Sequence, residues 1–309
     1  MKWQGRERSS NIEDRRTQGG GGLGGPSGNP FGTGGGGFRI PTGGRSTGGL
    51  GGIGLIIVIG IVCFALGINP LSLLDGSMQT GGGGALAPSS SQSLPLPNAG
   101  QDQLADFVGV VVKETEDVWT QIFKDNGMTY VPPKVVLFTS QTQSGCGVAD
   151  ANSGPFYCPN DQKVYIDLSF YDQLRRQFGA PGDFAQAYVL AHEIGHHVQD
   201  QLGKLPEFNR QRQSMSEDQA NAASVRIELQ ADCYAGVWAN KVGQENLLDQ
   251  GDVEEAITAA NAIGDDTLTH GQVSSRNFTH GTSAQRMKWL KRGIASGNPA
   301  DCDTSSGSI

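Results

Sequence analysis

Three of the five histidines in this 309-residue chain fall within one hexapeptide, His192-Glu193-Ile194-Gly195-His196-His197. It lies in the run VLAHEIGHHVQ, whose apolar flanks call for a packed helix. In a helix, residues i and i+4 share a face, so His192 and His196 present their imidazoles about one turn apart. Burying two imidazoles and a carboxylate is costly unless a partner satisfies them. Zn²⁺ is such a partner: both imidazoles bind it, and Glu193, beside the first ligand, faces a water on the metal. Zinc lowers the pKa of that water, and the carboxylate takes its proton as it attacks a carbonyl. His197 points away from this face and reads as packing.

A catalytic zinc needs a third protein ligand and one open position. The metzincin pattern would place a His at position 202, where Leu202 stands, so that class is excluded. The next candidates are Glu228 and Asp232, again four residues apart, among Ile227, Leu229, Ala231, Cys233 and Tyr234. This spacing suits Glu228 as third ligand, with Asp232 accepting the second N–H of a ligand histidine. The exchanged roles stay open, because both carboxylates face one side. Of the two remaining histidines, His280 opens HGTSAQRMKWLKRG, with Arg286 one or two turns into the helix that follows. Either His280 or His270 could stabilise the oxyanion of a tetrahedral intermediate, and His280 is the favoured one.

The chain is far from uniform. Of its 46 glycines, 28 lie in the first 100 residues, a stretch too poor in aromatics to build a core. Residues 1–48 read as a disordered Gly-rich tail and 69–101 as a flexible linker. Between them, residues 49–68 (GLGGIGLIIVIGIVCFALGI) carry no charge and match the length of a membrane-spanning helix. Lys2, Arg6, Arg8, Arg15, Arg16, Arg39 and Arg45 precede that run, and the next basic residue is Lys113. Positive-inside bias then leaves the N-terminus in the cytoplasm and residues 102–309 outside the cell membrane. The formal net charge of −8 divides into +4 for residues 1–48 and −12 for the rest, which excludes nucleic acid as the main partner.

Outside the apolar run the cysteines are Cys146, Cys158, Cys233 and Cys302, and an extracytoplasmic domain favours disulfides. Three pairings are open; 146–158 with 233–302 is the first choice, because the former closes a turn-rich stretch and the latter staples the C-terminus. Helical periodicity predicts helices over 104–125, 183–202, 216–240, 252–263 and 283–293. Asp183 is the expected cap of the second, and Ser216-Glu217-Asp218-Gln219 opens the third as a capping box. Lys134–Ser140 and Lys163–Phe170 read as strands, the first internal and the second, which alternates, an edge.

The runs AHEIGHHVQ, ELQADCYAGVW and HGTSAQRMKWLKRG, behind a Gly-rich tail and an apolar run, closely resemble the bacterial neutral zinc metallopeptidase family (YpfJ-like) over nearly the whole chain. The resemblance implies a zincin-type helical core with His192, His196 and Glu228 on zinc and Glu193 as base. A more distant similarity to membrane-linked gluzincin peptidases implies transition-state or substrate roles for His280 and Arg286, although Gly281 stands where those families commonly carry Pro.

The expectation is therefore an α+β chain: a mostly helical zincin-like core with a small β-sheet, preceded by one transmembrane helix and Gly-rich segments. It is a membrane-anchored zinc metalloendopeptidase with one Zn²⁺ per chain, a protein or peptide substrate, and an exposed strand such as Lys163–Phe170 to receive it. Two rivals are a non-proteolytic zinc-bound envelope scaffold or chaperone, and a structural zinc domain with His280 as a fourth ligand.

Overall fold

In the computed structural model the described residues are 1–17 and 99–309. In chain order the elements are β1 (Ile12–Asp14), α1 (Ala99–Asp125), β2 (Lys134–Phe138), β3 (Gln141–Ser144), β4 (Gly147–Asp150), β5 (Phe156–Cys158) and β6 (Lys163–Asp167). There follow α2 (Phe170–Arg176), α3 (Asp183–Gln201), α4 (Lys204–Arg212), α5 (Glu217–Gln244), α6 (Asp252–Ala262), α7 (Asp265–Leu268) and α8 (Ser283–Ser296). The class is α+β, mostly helical with two small sheets.

The main sheet has the order β1-β2-β6-β5, with β5 alone antiparallel to its neighbour. The expected edge strand, β6, is therefore internal. Its alternation has another cause. Val164 and Ile166 join the main core, whereas Tyr165 joins a second small core with Val136, Phe138, Ala149, Phe156 and Cys158 on the other face. The edge strand beside the helices is β5, a run of only three residues, all buried, that carries no readable period.

The largest departure from expectation is at the N-terminus. Residues 1–17 are part of the folded body and not a tail. Ile12, Glu13 and Asp14 pair in parallel with Val135, Val136 and Leu137 of β2. Met1 is buried, Trp3 meets Phe107 edge to face at 5.4 Å, and the Ser9 N–H donates to the Gly109 carbonyl at 2.9 Å. Eight scattered charges and a three-residue strand leave no local signal, and the strand's partner lies beyond residue 98. Residues 18–48 of the expected tail, the expected span 49–68 and the linker up to residue 98 lie outside the described residues. Among the described residues no helix is long and apolar enough to cross a membrane.

The helices meet at close range where glycine permits it. A Cβ on Gly195 would lie 3.1 Å from the Ala231 carbonyl oxygen, so this residue brings α3 and α5 almost backbone to backbone. Gly293 does the same for α8 against α5, where a Cβ would stand 2.0 Å from the Cys233 oxygen. The Cys233–Cys302 disulfide fastens the C-terminal segment to α5, and Cys146–Cys158 ties the β3–β4 turn to β5, the pairing favoured from sequence. Ser216 caps α5 in a capping box with Gln219, as expected. Gly182, not Asp183, is the N-cap of α3. Glu255 of α6 accepts from the Phe184 N–H at 3.1 Å, and Asp183 sits 2.9 Å from the Met1 amino group.

Candidate metal centre

Helix α3 is buried along most of its length, and its one-turn spacing sets His192 and His196 side by side, ring centroids 4.8 Å apart and planes at 88°. Helix α5 crosses at Gly195 and delivers Glu228 between them. One carboxylate oxygen lies 3.1 Å from His192 Nε2, and the other lies 3.5 Å from His196 Nε2. One ligand atom from each of His192, His196 and Glu228 falls within 4.8 Å of the others. A second carboxylate group, Asp183, Asp252 and Glu255, also satisfies that criterion, but the Met1 ammonium occupies its neighbourhood at 2.9 Å from Asp183 and 3.1 Å from Asp252.

The Nδ1 atoms explain why both Nε2 atoms converge. His192 Nδ1 lies 2.8 Å from Asp232 Oδ1, and His196 Nδ1 lies 2.8 Å from Gln199 Oε1. Each acceptor holds the proton on Nδ1 and leaves Nε2 as a lone-pair donor, the arrangement that suits a metal-binding imidazole. Asp232 itself is fully buried and fully employed. Beside His192 it accepts from the Tyr188 hydroxyl at 2.6 Å and twice from Arg286 at 2.9 Å. Asp232 is thus committed to its neighbours, whereas the two oxygens of Glu228 face the Nε2 atoms of both histidines.

The donor set fits zinc: two imidazoles and one carboxylate at the wall of an open cleft. Electrostatics agree. Burial pushes His192 down, but Asp232 and Glu228 outweigh it and hold the imidazole up at about 10. Burial likewise pushes Glu228 up, yet His196 and His280 hold it well below the usual carboxylate range. The protein groups thus build a pocket that favours a positive charge. Asp232, raised by burial and lowered by Arg286 and His192, rests at about 2 and stays ionised.

Glu193 is outside the ligand triangle. Burial raises its pKa against the pull of both histidines, and its Oε2 accepts the Tyr157 N–H of β5 at 2.9 Å. The other oxygen is left for a proton. His280 lines the same cleft, with Asp265 accepting its backbone N–H at 2.7 Å and approaching Nδ1 at 3.3 Å. His270 is exposed and does not line the cleft. Arg286 lines the same cleft; only 3 % exposed, it gives Nε and Nη2 to Asp232 and Nη1 to the Ile263 carbonyl at 3.2 Å. Through Asp232 it is linked to His192 Nδ1. His197 is turned away as expected, between the Tyr157 hydroxyl and the Val131 carbonyl.

Three participants escaped sequence reasoning. Tyr188 precedes His192 by one turn and Gln199 follows His196 by three residues, so helical spacing held the signal. Asp265 carried none, because its partner loop folds back from residues 279–281. The cleft measures about 270 Å³. Its walls include Phe156, Phe170, Val189, Leu205, Phe208 and Ile227, with the edge of β5 along one side.

Comparison with known proteins meets this geometry. A family model described as "Putative neutral zinc metallopeptidase" matches residues 1–305, and the chain belongs to that family. It is 46 % identical over 313 residues to YpfJ of Escherichia coli K12, covering all of both chains. It is 44 % identical over 189 residues to an uncharacterized protein of Mycobacterium bovis, covering 57 % of this chain and 63 % of that one, and to a Mycobacterium tuberculosis protein in the same measure. No solved structure matches the chain significantly. Membership implies zinc and a protein or peptide substrate.

Proposed function

We propose that this chain is a metalloendopeptidase that holds one Zn²⁺ on His192, His196 and Glu228 and cleaves peptide bonds in the cleft above them. The observation that carries this is the position of Glu193. A purely structural zinc site has no use for a buried carboxylate of raised pKa beside, but not among, the ligands. The zinc supplies Lewis acidity, acidifying a water and polarising the scissile carbonyl.

The chain's own residues do the rest. Glu193, with one oxygen held by Tyr157, takes a proton from the attacking water on the other oxygen and passes it to the departing amine. His280, its Nδ1 side engaged by Asp265, turns Nε2 to the carbonyl oxygen as negative charge develops there. The closed-off Asp232–Arg286–Tyr188 group keeps His192 in one tautomer and one orientation. An extended substrate lies in the cleft along β5, beside Phe156 and Tyr157, replacing the expected Lys163–Phe170.

The test is metal content and casein cleavage of the native chain beside Glu193→Gln. Zinc near one per chain in both, with cleavage lost only in the variant, supports the reading. Equal cleavage by both refutes the base assignment, and zinc in both with no cleavage of any peptide library favours a non-proteolytic scaffold.

A further inference from the structure

Five of the seven basic residues that set the expected membrane orientation are, in the structure, parts of the folded body. Arg6 Nε lies 2.6 Å from Glu114, whose side chain is almost fully buried. Arg8 pairs with Asp106, and Arg16 bridges Asp14 at 2.6 Å and Asp102 at 3.2 Å. Arg15 pairs with Glu13, while Lys163 of β6 reaches Glu13 at 2.9 Å, and Lys2 lies 3.9 Å from Asp249. Of the seven basic residues before the apolar run, five are thus engaged by carboxylates, leaving only Arg39 and Arg45 to act as topology signals.

The backbone binds as firmly. The Val135 N–H donates to the Asn11 carbonyl at 2.8 Å, and the Arg15 N–H to the Leu137 carbonyl at 2.7 Å. Gly109, a poor helix former inside α1, has its missing Cβ position 3.3 Å from Arg8 Cβ. Its place in the helix is explained by the segment lying across it. Without residues 1–17, β2 would be an unpaired edge and Glu114 a buried charge without its partner, each a destabilising state.

Groups in such contact stand on the same side of any membrane, whatever path residues 18–98 take. One crossing between them would separate partners that touch. The two disulfides then select the side, since such bonds persist in oxidising compartments. We propose that residues 1–17 and 99–309 form one unit outside the cytoplasm, with β1 (Ile12–Asp14) as an edge strand of its main sheet. This replaces the expectation of a cytoplasmic N-terminus.

The test uses the full chain with Cys63→Ser, carrying either Ser10→Cys or Ser308→Cys, both at exposed positions. A membrane-impermeant maleimide is applied to intact cells, with any outer membrane permeabilised, and to lysate. Equal labelling of both cysteines in intact cells and in lysate is expected. Labelling of Ser10→Cys only after lysis would overturn the proposal, and so would labelling of both only after lysis. An independent check is the charge swap. Arg6→Glu and Glu114→Arg should each lower Tm of the purified full chain by several degrees, and the double variant should recover most of the loss. No change in Tm from Arg6→Glu would show that the contact does not form.

Discussion

The hold that Gln199 has on His196 can be measured. Gln199 is fully buried and makes three hydrogen bonds: Oε1 with His196 Nδ1 at 2.8 Å, and Nε2 to the Ile227 carbonyl at 2.7 Å and to Gln230 Oε1 at 3.1 Å. Gln199→Leu keeps the volume and removes all three. Gln230 Oε1 and the His196 N–H then lose their partners, while the Ile227 carbonyl keeps its helical bond, at about 1–3 kcal/mol for each group that water cannot reach. Part of that cost is relieved by relaxation, so a stability loss of about 2–4 kcal/mol is expected. The metal-binding effect is separate. Freed from its acceptor, His196 loses its fixed tautomer and orientation, and losses of such outer partners weaken zinc binding by roughly 10- to 100-fold.

Competition with a chromogenic chelator reads this zinc affinity, and a thermal melt in excess chelator reads the fold. Gln199→Glu retains the acceptor for His196 and loses the two amide donations, so it should lose stability but keep most of its zinc affinity. Gln230→Leu cuts the next link, including the bond to the Cys302 carbonyl at 2.9 Å, without touching His196. If Gln199→Leu bound zinc within about threefold of the native chain, orientation of His196 by Gln199 would be refuted. Equal zinc loss in Gln230→Leu would show a general packing effect in place of a specific one.

Asp265 shows a pH dependence of known sign. Burial raises it, but His280 and the N–H groups of residues 279–280 outweigh that and hold its pKa below 3.8. A depressed carboxylate stabilises the fold above its unfolded pKa, and that stability disappears as pH falls through the folded value. Tm should therefore drop below about pH 4 more steeply in the native chain than in Asp265→Asn, and parallel acid limbs would contradict this. Cys233→Ser with Cys302→Ser opens a link spanning 69 residues and should cost about 2–4 kcal/mol; denaturant melts with and without reductant check it. Gly293→Ala gains about 1 kcal/mol in helix propensity but forces a methyl group to 2.0 Å from the Cys233 oxygen, so it should be strongly destabilising. A neutral Gly293→Ala would mean that α5 and α8 do not meet as closely as described.

Local rules determined much of this protein. The i,i+4 geometry of a helix is enough to put His192 beside His196, and an apolar surround is enough to demand that the helix be packed. The same rule, applied to Glu228 and Asp232, named the two carboxylates, and capping chemistry located the start of α5 to the residue. What local rules could not do was choose between equivalents on one face. The choice of Glu228 over Asp232 depended on Arg286 and Tyr188 arriving from other elements to consume Asp232. Nothing near position 286 shows that Arg286 also holds Asp232, 54 residues earlier. Strand order was equally hidden: a period of two reports that two faces differ and says nothing of how many neighbours a strand has. Residues 1–17 mark the limit most plainly. Their charges look solvated when read along the chain, and only the tertiary fold, by bringing Glu114, Asp106 and Asp102 opposite them, turns a tail into an edge strand.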